Sequence, residues 1–179
     1  MEATEDLDAE EVSWIEGARQ IDDCEYLFAV RLREINELTL EAVIKEAKPQ
    51  AEIRAVESEA PVELLRLGAR PIESDLTCRT FRVVFDQRYM VSYTVLNESY
   101  GTYPGRPEQF SGKLFRVFTW SHLLEFAKKT TCASDEHPGV LQHYQIACLN
   151  HVIDVICTGP PRISVQIPGR ASQIKPTLQ

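Results

Sequence analysis

The sequence predicts an α+β domain built mainly on antiparallel β-sheet, with one or two short helices. Three observations carry that expectation. Through most of the oily stretches apolar residues alternate with polar ones, the period of a half-buried strand rather than of a helix. No strand–helix–strand rhythm of the kind that builds a parallel sheet runs through the chain. At 179 residues, one domain can bury a core without help from disulfides or metals. A small barrel or sandwich with a helix across its mouth is the alternative arrangement of the same elements.

The folded domain is expected over residues 12–167. Of the first 11 residues six are acidic and only Leu7 is large and apolar. Such a segment cannot offset its ordering entropy, so 1–11 reads as a disordered acidic tail. Residues 168–179 mix Pro168, Gly169, Ser172 and Pro176 with Arg170 and Lys175 and read as a second disordered tail. Any second helix belongs near the N-terminus. Residues 26–33 end in Val30 and Leu32 with Arg31 and Arg33 interleaved, a strand pattern. Residues 38–48 fit a helical face (Leu40, Val43, Ile44, Ala47) and a strand (Leu38, Leu40, Ala42, Ile44) alike. The strand is taken, because the preceding run is extended and antiparallel neighbours connect easily; Pro49 ends it in either case. Residues 53–56 and 61–67 are short apolar pieces, the second closed by Gly68.

Residues 79–99 read as a β-hairpin with one oily face. Phe81, Val83 and Phe85 are odd-numbered, as are Val91, Tyr93 and Val95. Alternation therefore gathers the apolar side chains on one face of each arm. For both arms of a hairpin to meet one core, cross-strand partners must both be odd, so the loop holds three residues (87–89) or five. A two-residue loop would set Phe81 and Phe85 opposite even-numbered partners such as Thr94 and turn one arm outward. No Asn-Gly or Asp-Gly pair interrupts the run, in keeping with a longer loop.

Residues 115–119 (FRVFT) form another strand, with Arg116 turned away from Phe115 and Val117. A helix follows over 121–130. Thr119 or Ser121 serves as its N-cap, and Lys128 and Lys129 suit the C-terminal end of its dipole. Leu123, Phe126, Ala127 and Thr130 make its apolar stripe. Residues 131–139 are a loop by their Ser, Asp, Pro and Gly content. Residues 142–158 fit a helix or two strands turning at Asn150. The β-branched second half and the Gly159-Pro160-Pro161 stop favour the hairpin. Residues 162–167 (RISVQI) alternate and add a last strand.

Composition excludes several functions. With 27 acidic against 19 basic residues the net charge is −8. Nucleic acid and anionic membrane both require clustered cations. The nearest approach to a patch here is Arg106, Lys113, Arg116, Lys128 and Lys129. No apolar run approaches the ~20 residues of a membrane span. The acidic N-terminus is the opposite of a secretory or mitochondrial signal, and the cytoplasm is the expected compartment. The five cysteines are odd in number, widely spaced and without a Cys-x-x-Cys pair, so they read as reduced structural thiols.

Four groups of residues were candidates for chemistry. His143, Cys148, His151 and Cys157 have the donor types of a zinc site. In a hairpin read by parity alone, however, Cys148 points away from the other three, so no metal and no cofactor is expected. Cys78, Cys132 or Cys148 beside a histidine could form a thiolate–base pair, but no nucleophile motif surrounds any of them. Glu98, Tyr100, Tyr103 and Phe110 sit at a strand end and on a proline-stiffened loop, where exposed rings lose little entropy on binding. They serve equally well as a lid on the core edge. Asp154, amid β-branched residues, calls for a partner such as Arg162 or His122; paired with Glu98 it would matter only if the fold brought both into one cleft. The expected function is a non-catalytic module that meets a protein partner, or a second copy, through the 100–110 loop and nearby edge strands. The alternative is a small enzyme or ligand-binding protein with a cleft of His122, His143, His151 and Asp154, joined by Glu98.

Overall fold

The computed structural model describes residues 9–50, 70–86, 88–101 and 107–169. Along the chain come β1 (Glu10–Val12), α1 (Trp14–Asp22), β2 (Tyr26–Glu34), β3 (Leu40–Pro49), β4 (Ile72–Glu73), β5 (Thr80–Phe85) and β6 (Met90–Leu96). A 3-10 turn (Glu98–Tyr100), β7 (Gln109–Ser111), β8 (Phe115–Trp120), α2 (His122–Thr130), β9 (Gln142–Ala147), β10 (Val152–Cys157) and β11 (Arg162–Gln166) follow. One antiparallel sheet has the order β1-β11-β5-β3-β2, with β4 beside β3; the other has the order β6-β10-β9-β8-β7. The domain is therefore α+β and dominated by antiparallel sheet, as the alternation predicts.

The sheets share one core. Leu40, Ala42, Ile44, Phe81, Val83, Phe85 and Ile163 enter it from the first, and Phe115, Tyr144, Ile146, Ile153 and Val155 from the second. Each large aliphatic or phenylalanine side chain among them contributes roughly 1.5–3 kcal/mol on burial. The ambiguous 38–48 run is strand β3, paired antiparallel with β2. A bulge between Ala29 and Arg31 separates Val30 from Leu32, which alternation alone puts on one face. Leu32 packs against the core and Val30 is exposed.

The expected hairpin over 79–99 does not form. Both arms are strands, but β5 pairs with β3 and β11, and β6 pairs with β10 in the other sheet. The residues between them are a corner. The amides of Tyr89 and Met90 both donate to the Asp86 carbonyl, and Tyr89 O accepts from Thr158. Phe81, Val83 and Phe85 are buried in the core as alternation predicts, but in β6 Tyr93 and Val95 are half-exposed, and a bulge turns Val91 to the α2 side and Met90 to the core. Arms in two facing sheets can also turn side chains of one parity toward a shared core, so the pattern does not select a hairpin.

α1 begins at Ser13, whose Oγ accepts the Glu16 N–H. Gly17 lets the helix lie directly on β11: a Cβ there would stand 2.5 Å from Ile163 Cγ2. At its other end, Asp22 Oδ1 accepts the N–H groups of Leu114 and Phe115, each at 2.7 Å, fastening α1 to β8. α2 lies on the outer face of the second sheet, where Leu124 and Ala127 pack with Leu141 and Ile156. The expected stripe is rotated: Leu124 replaces Phe126, which is exposed, and Leu123 and Ala127 stay against the sheet. Glu10 and Glu11, assigned to a tail by composition, are in β1 and pair with Val165 and Ser164. Backbone pairing orders them without burying their side chains. Residues 53–56 and 61–67, and the rest of the tail assignments at 1–8 and 170–179, lie outside the described residues.

On the outer face of the first sheet the Glu41 side chain is only 1% exposed and is gripped by Arg31, Arg33 and Arg82. Burial alone would raise its pKa, but hydrogen bonds from Arg82 and Arg33 outweigh that and hold it below 4.5. Ionised Glu41 therefore stabilises the fold above its ordinary pKa, and the contribution is lost as pH falls through the lower folded value.

Two outcomes are expected. Gly17→Ala is expected to cost about 1–3 kcal/mol of stability through overpacking, read as a lower denaturant midpoint, although alanine is ordinarily the better helix former by ~1 kcal/mol; a stabilised variant would refute the close packing. Glu41→Gln is less stable than the natural protein at neutral pH and loses less stability on acidification below 4.5, measured by denaturant melts across pH.

Candidate functional site

The even-numbered residues of β10 turn away from the sandwich core, toward α2. A four-residue turn, Cys148 to His151, joins β9 to β10 in the register Ile156↔His143 and Asp154↔Gln145. An even number of turn residues pairs odd positions with even ones. His143 thus shares a face with Asp154, and not with Cys157, which belongs to the core side. Single-parity reasoning across the hairpin missed this.

The result is a continuous polar network. His143, 2% exposed, has Nδ1 at 2.8 Å from Ser121 Oγ and Nε2 at 2.9 Å from Asp154 Oδ1. Gln145 Nε2 donates to the same Asp154 oxygen, and Arg116 Nη1 donates to Gln145 Oε1. The Arg116 guanidinium in turn lies 4.7 Å from the centre of the Phe110 ring. Phe118 stacks on the imidazole. Donors and acceptors match for one tautomer: Ser121 accepts the Leu124 N–H as helix cap and gives its own proton to Nδ1, while Nε2–H faces the carboxylate. Arg116, Gln145 and Asp154 are direct cross-strand neighbours, and Thr94 of β6 continues the row.

Serine, histidine and aspartate in contact invite a nucleophile reading. The geometry does not present one. Ser121 is fully buried and its oxygen already accepts the α2 cap bond. Activation also needs the nucleophile within reach of a substrate. What the network does is fasten α2 to three strands.

The other candidate residues are dispersed. His122 stands at the start of α2, its N–H bonded to Glu108 and its ring edge-on to Trp120. His151 is in the β9–β10 turn with a buried Nδ1 lacking a hydrogen-bond partner. Asp154 takes His143 and Gln145 as partners, not Arg162 or His122, because Arg162 lies on β11 in the other sheet and His122 at the head of α2. Glu98 is exposed in the turn beyond β6, so it does not join Asp154 in the network. Burial pushes the Cys148 and Cys157 thiols up to about 12 and raises Cys78, which removes their thiolate character near neutral pH. Among the described residues no three His, Cys, Asp or Glu side chains gather as a metal site.

The aromatic surface also divides. Tyr100 is 75% exposed just beyond β6. Phe110 is on β7, at the opposite edge of the same sheet, packed on Phe118. Tyr103 lies outside the described residues. Beside Tyr100 the structure adds residues that loop-centred reasoning overlooked: Tyr93, Val95 and Leu96 are 36%, 43% and 43% exposed on β6. Tyr93 and Val95 are expected from the sequence on the buried face of a hairpin, and Leu96 is given no place there. No family model, curated protein or solved structure matches the chain.

Ser121→Ala and Asp154→Ala are each expected to cost about 1–3 kcal/mol of stability by stripping a buried partner from His143. Combined, they should fall short of additivity by more than about 0.5 kcal/mol, since both act through one imidazole. Additive losses in a double-mutant cycle would show that the two contacts are independent.

Proposed function

We propose that the protein is a non-catalytic, cytoplasmic interaction module that receives an extended segment of a protein partner along the free edge of β6, beside Tyr100. One observation carries the reading: over residues 92–96, beyond a bulge at its first residues, β6 is a regular sheet edge with no charge and no proline. Edge strands present unpaired N–H and C=O groups, and proteins commonly shield them with charge, proline, bulges, brevity or a covering segment. β1 is three residues long with two glutamates, and β7 is three residues long with a bulge. β2 carries Arg31, Arg33, Glu34 and a bulge. The β9–β10 turn also covers part of β2, with Asn150 bonded to both backbone groups of Ala29 and Leu149 N–H donated to Leu27 O. β6, Met90–Leu96, has seven residues, no charge and no proline, and beyond β10 it pairs with no other strand among the described residues.

Other features support the same reading. No described helix is long and apolar enough to cross a membrane. The net charge of −8 disfavours nucleic acid as partner. All five cysteines are free, which suits a reducing compartment. The alternative carboxylate–histidine cleft has only the His143–Asp154 contact in its favour, and both groups are engaged in the α2 network.

The test is peptide selection from a random displayed library against the folded domain. Selected peptides should bind in extended form, protect residues 92–96 from hydrogen exchange, and lose roughly tenfold in affinity, about 1.4 kcal/mol, on Thr94→Lys. Thr94 is exposed opposite Asp154, so lysine there leaves the fold intact. Tyr100→Ala should weaken the same peptides. Peptides indifferent to Thr94→Lys, or a selection that yields none directed to β6, would overturn the proposal.

A further inference from the structure

The sequence of β6 reads nearly the same in both directions. Around Tyr93 stand Ser92 and Thr94, then Val91 and Val95, then Met90 and Leu96. Chemical class is conserved at every step: hydroxyl, β-branched, long apolar. From this, and resting on the reading of β6 as an interaction edge, we infer that its partner is a second copy of this chain. The two β6 strands pair antiparallel about a two-fold axis at Tyr93.

Two-fold symmetry demands a self-complementary surface, since each contact occurs twice. Antiparallel pairing centred on Tyr93 sets Tyr93 against Tyr93 and Ser92 against Thr94; beyond Ser92 the bulge turns Val91 to the α2 side and Met90 to the core side, so the matched pairs are those within residues 92–94. These are aromatic and hydroxyl cross-strand pairs, the kinds that stabilise sheets. Charge points the same way. Each copy carries a net −8, so two copies must meet where formal charge is absent, and β6 has none. Pairing would join the two five-stranded sheets into one of twice that width and cover the half-exposed Tyr93, Val95 and Leu96. A bulge near Val91, where the β10 register shifts between Ile156 and Cys157, limits the regular part of the ladder. A seven-residue strand spans about 24 Å. A single strand pair makes a small interface beside the ~1,200–2,000 Å² of stable complexes, so the association is expected to be weak, on the order of 10–100 µM or about 5–7 kcal/mol.

Sedimentation velocity across that range tests the inference. The natural protein should pass from monomer to dimer, more readily in ~0.5 M than in ~0.05 M salt as repulsion is screened. Thr94→Lys should stay monomeric with an unchanged melting temperature. Register is tested by cysteine placement in a Cys132→Ser background, where the four remaining thiols are buried. Tyr93→Cys should cross-link to itself across the axis on oxidation, and Leu96→Cys should not. A monomer at several hundred micromolar, a dimer indifferent to Thr94→Lys, or cross-linking at Leu96→Cys in place of Tyr93→Cys would overturn the inference. A monomer that still binds β6-directed peptides leaves the interaction-module reading standing, whereas loss of both results removes it.

Discussion

The chain crosses from one sheet to the other between Phe85 and Met90, and the sandwich depends on that corner. Phe81, Val83 and Phe85 face the interior from the first sheet, and five residues later Met90 opens a strand of the second. The Asp86 carbonyl closes the turn by accepting two amides, and Tyr89 O is held by Thr158 at the end of β10. With the corner in place, β5 is central in its sheet and fully committed to β3 and β11. Among the described residues β6 has a strand partner on one side only. The free edge is a consequence of how the chain enters the second sheet.

The two long sides of the sandwich are closed differently. Between β11 and β8 lies α1, pressed against Ile163 through Gly17 and fastened by Asp22 to the amides that begin β8. On the other side, where β2 and β6 are the edges, the described residues provide smaller closures. Asn150 substitutes for a strand at Ala29, and Tyr93 Oη donates to Glu34. That asymmetry leaves half-exposed apolar side chains along β6 while those of the core are buried.

The network from Ser121 to Arg116 shows how a polar cluster can resemble chemistry while serving architecture. A buried histidine needs partners for both ring nitrogens, and here a helix cap and a strand carboxylate supply them. The cluster joins α2 to β8, β9 and β10, and its cross-strand row ends at Thr94 on β6. The helix that covers the sheet and the strand at its edge therefore belong to one connected layer.

Alternation along the chain indicated which segments are strands and, away from the bulges in β2 and β6, which side chains share a face, because side-chain direction in a strand is a local property of the backbone. That is why β2, β8 and β11 were legible; β3, β9 and β10 were strands in competition with a helical face, and the cap of α2 stayed open between Thr119 and Ser121. Pairing is not local. A strand with one oily face can be satisfied by a neighbour in its own sheet or by a sheet stacked opposite, and the sequence of β5 and β6 is compatible with both. Only the tertiary structure decided that β6 is an edge, that Phe110 and Tyr100 sit at opposite ends of the second sheet, and that an even-length turn brings His143 to Asp154. Each of these depends on contacts between residues far apart in the chain, where the free energy of burial and not the local pattern selects among arrangements.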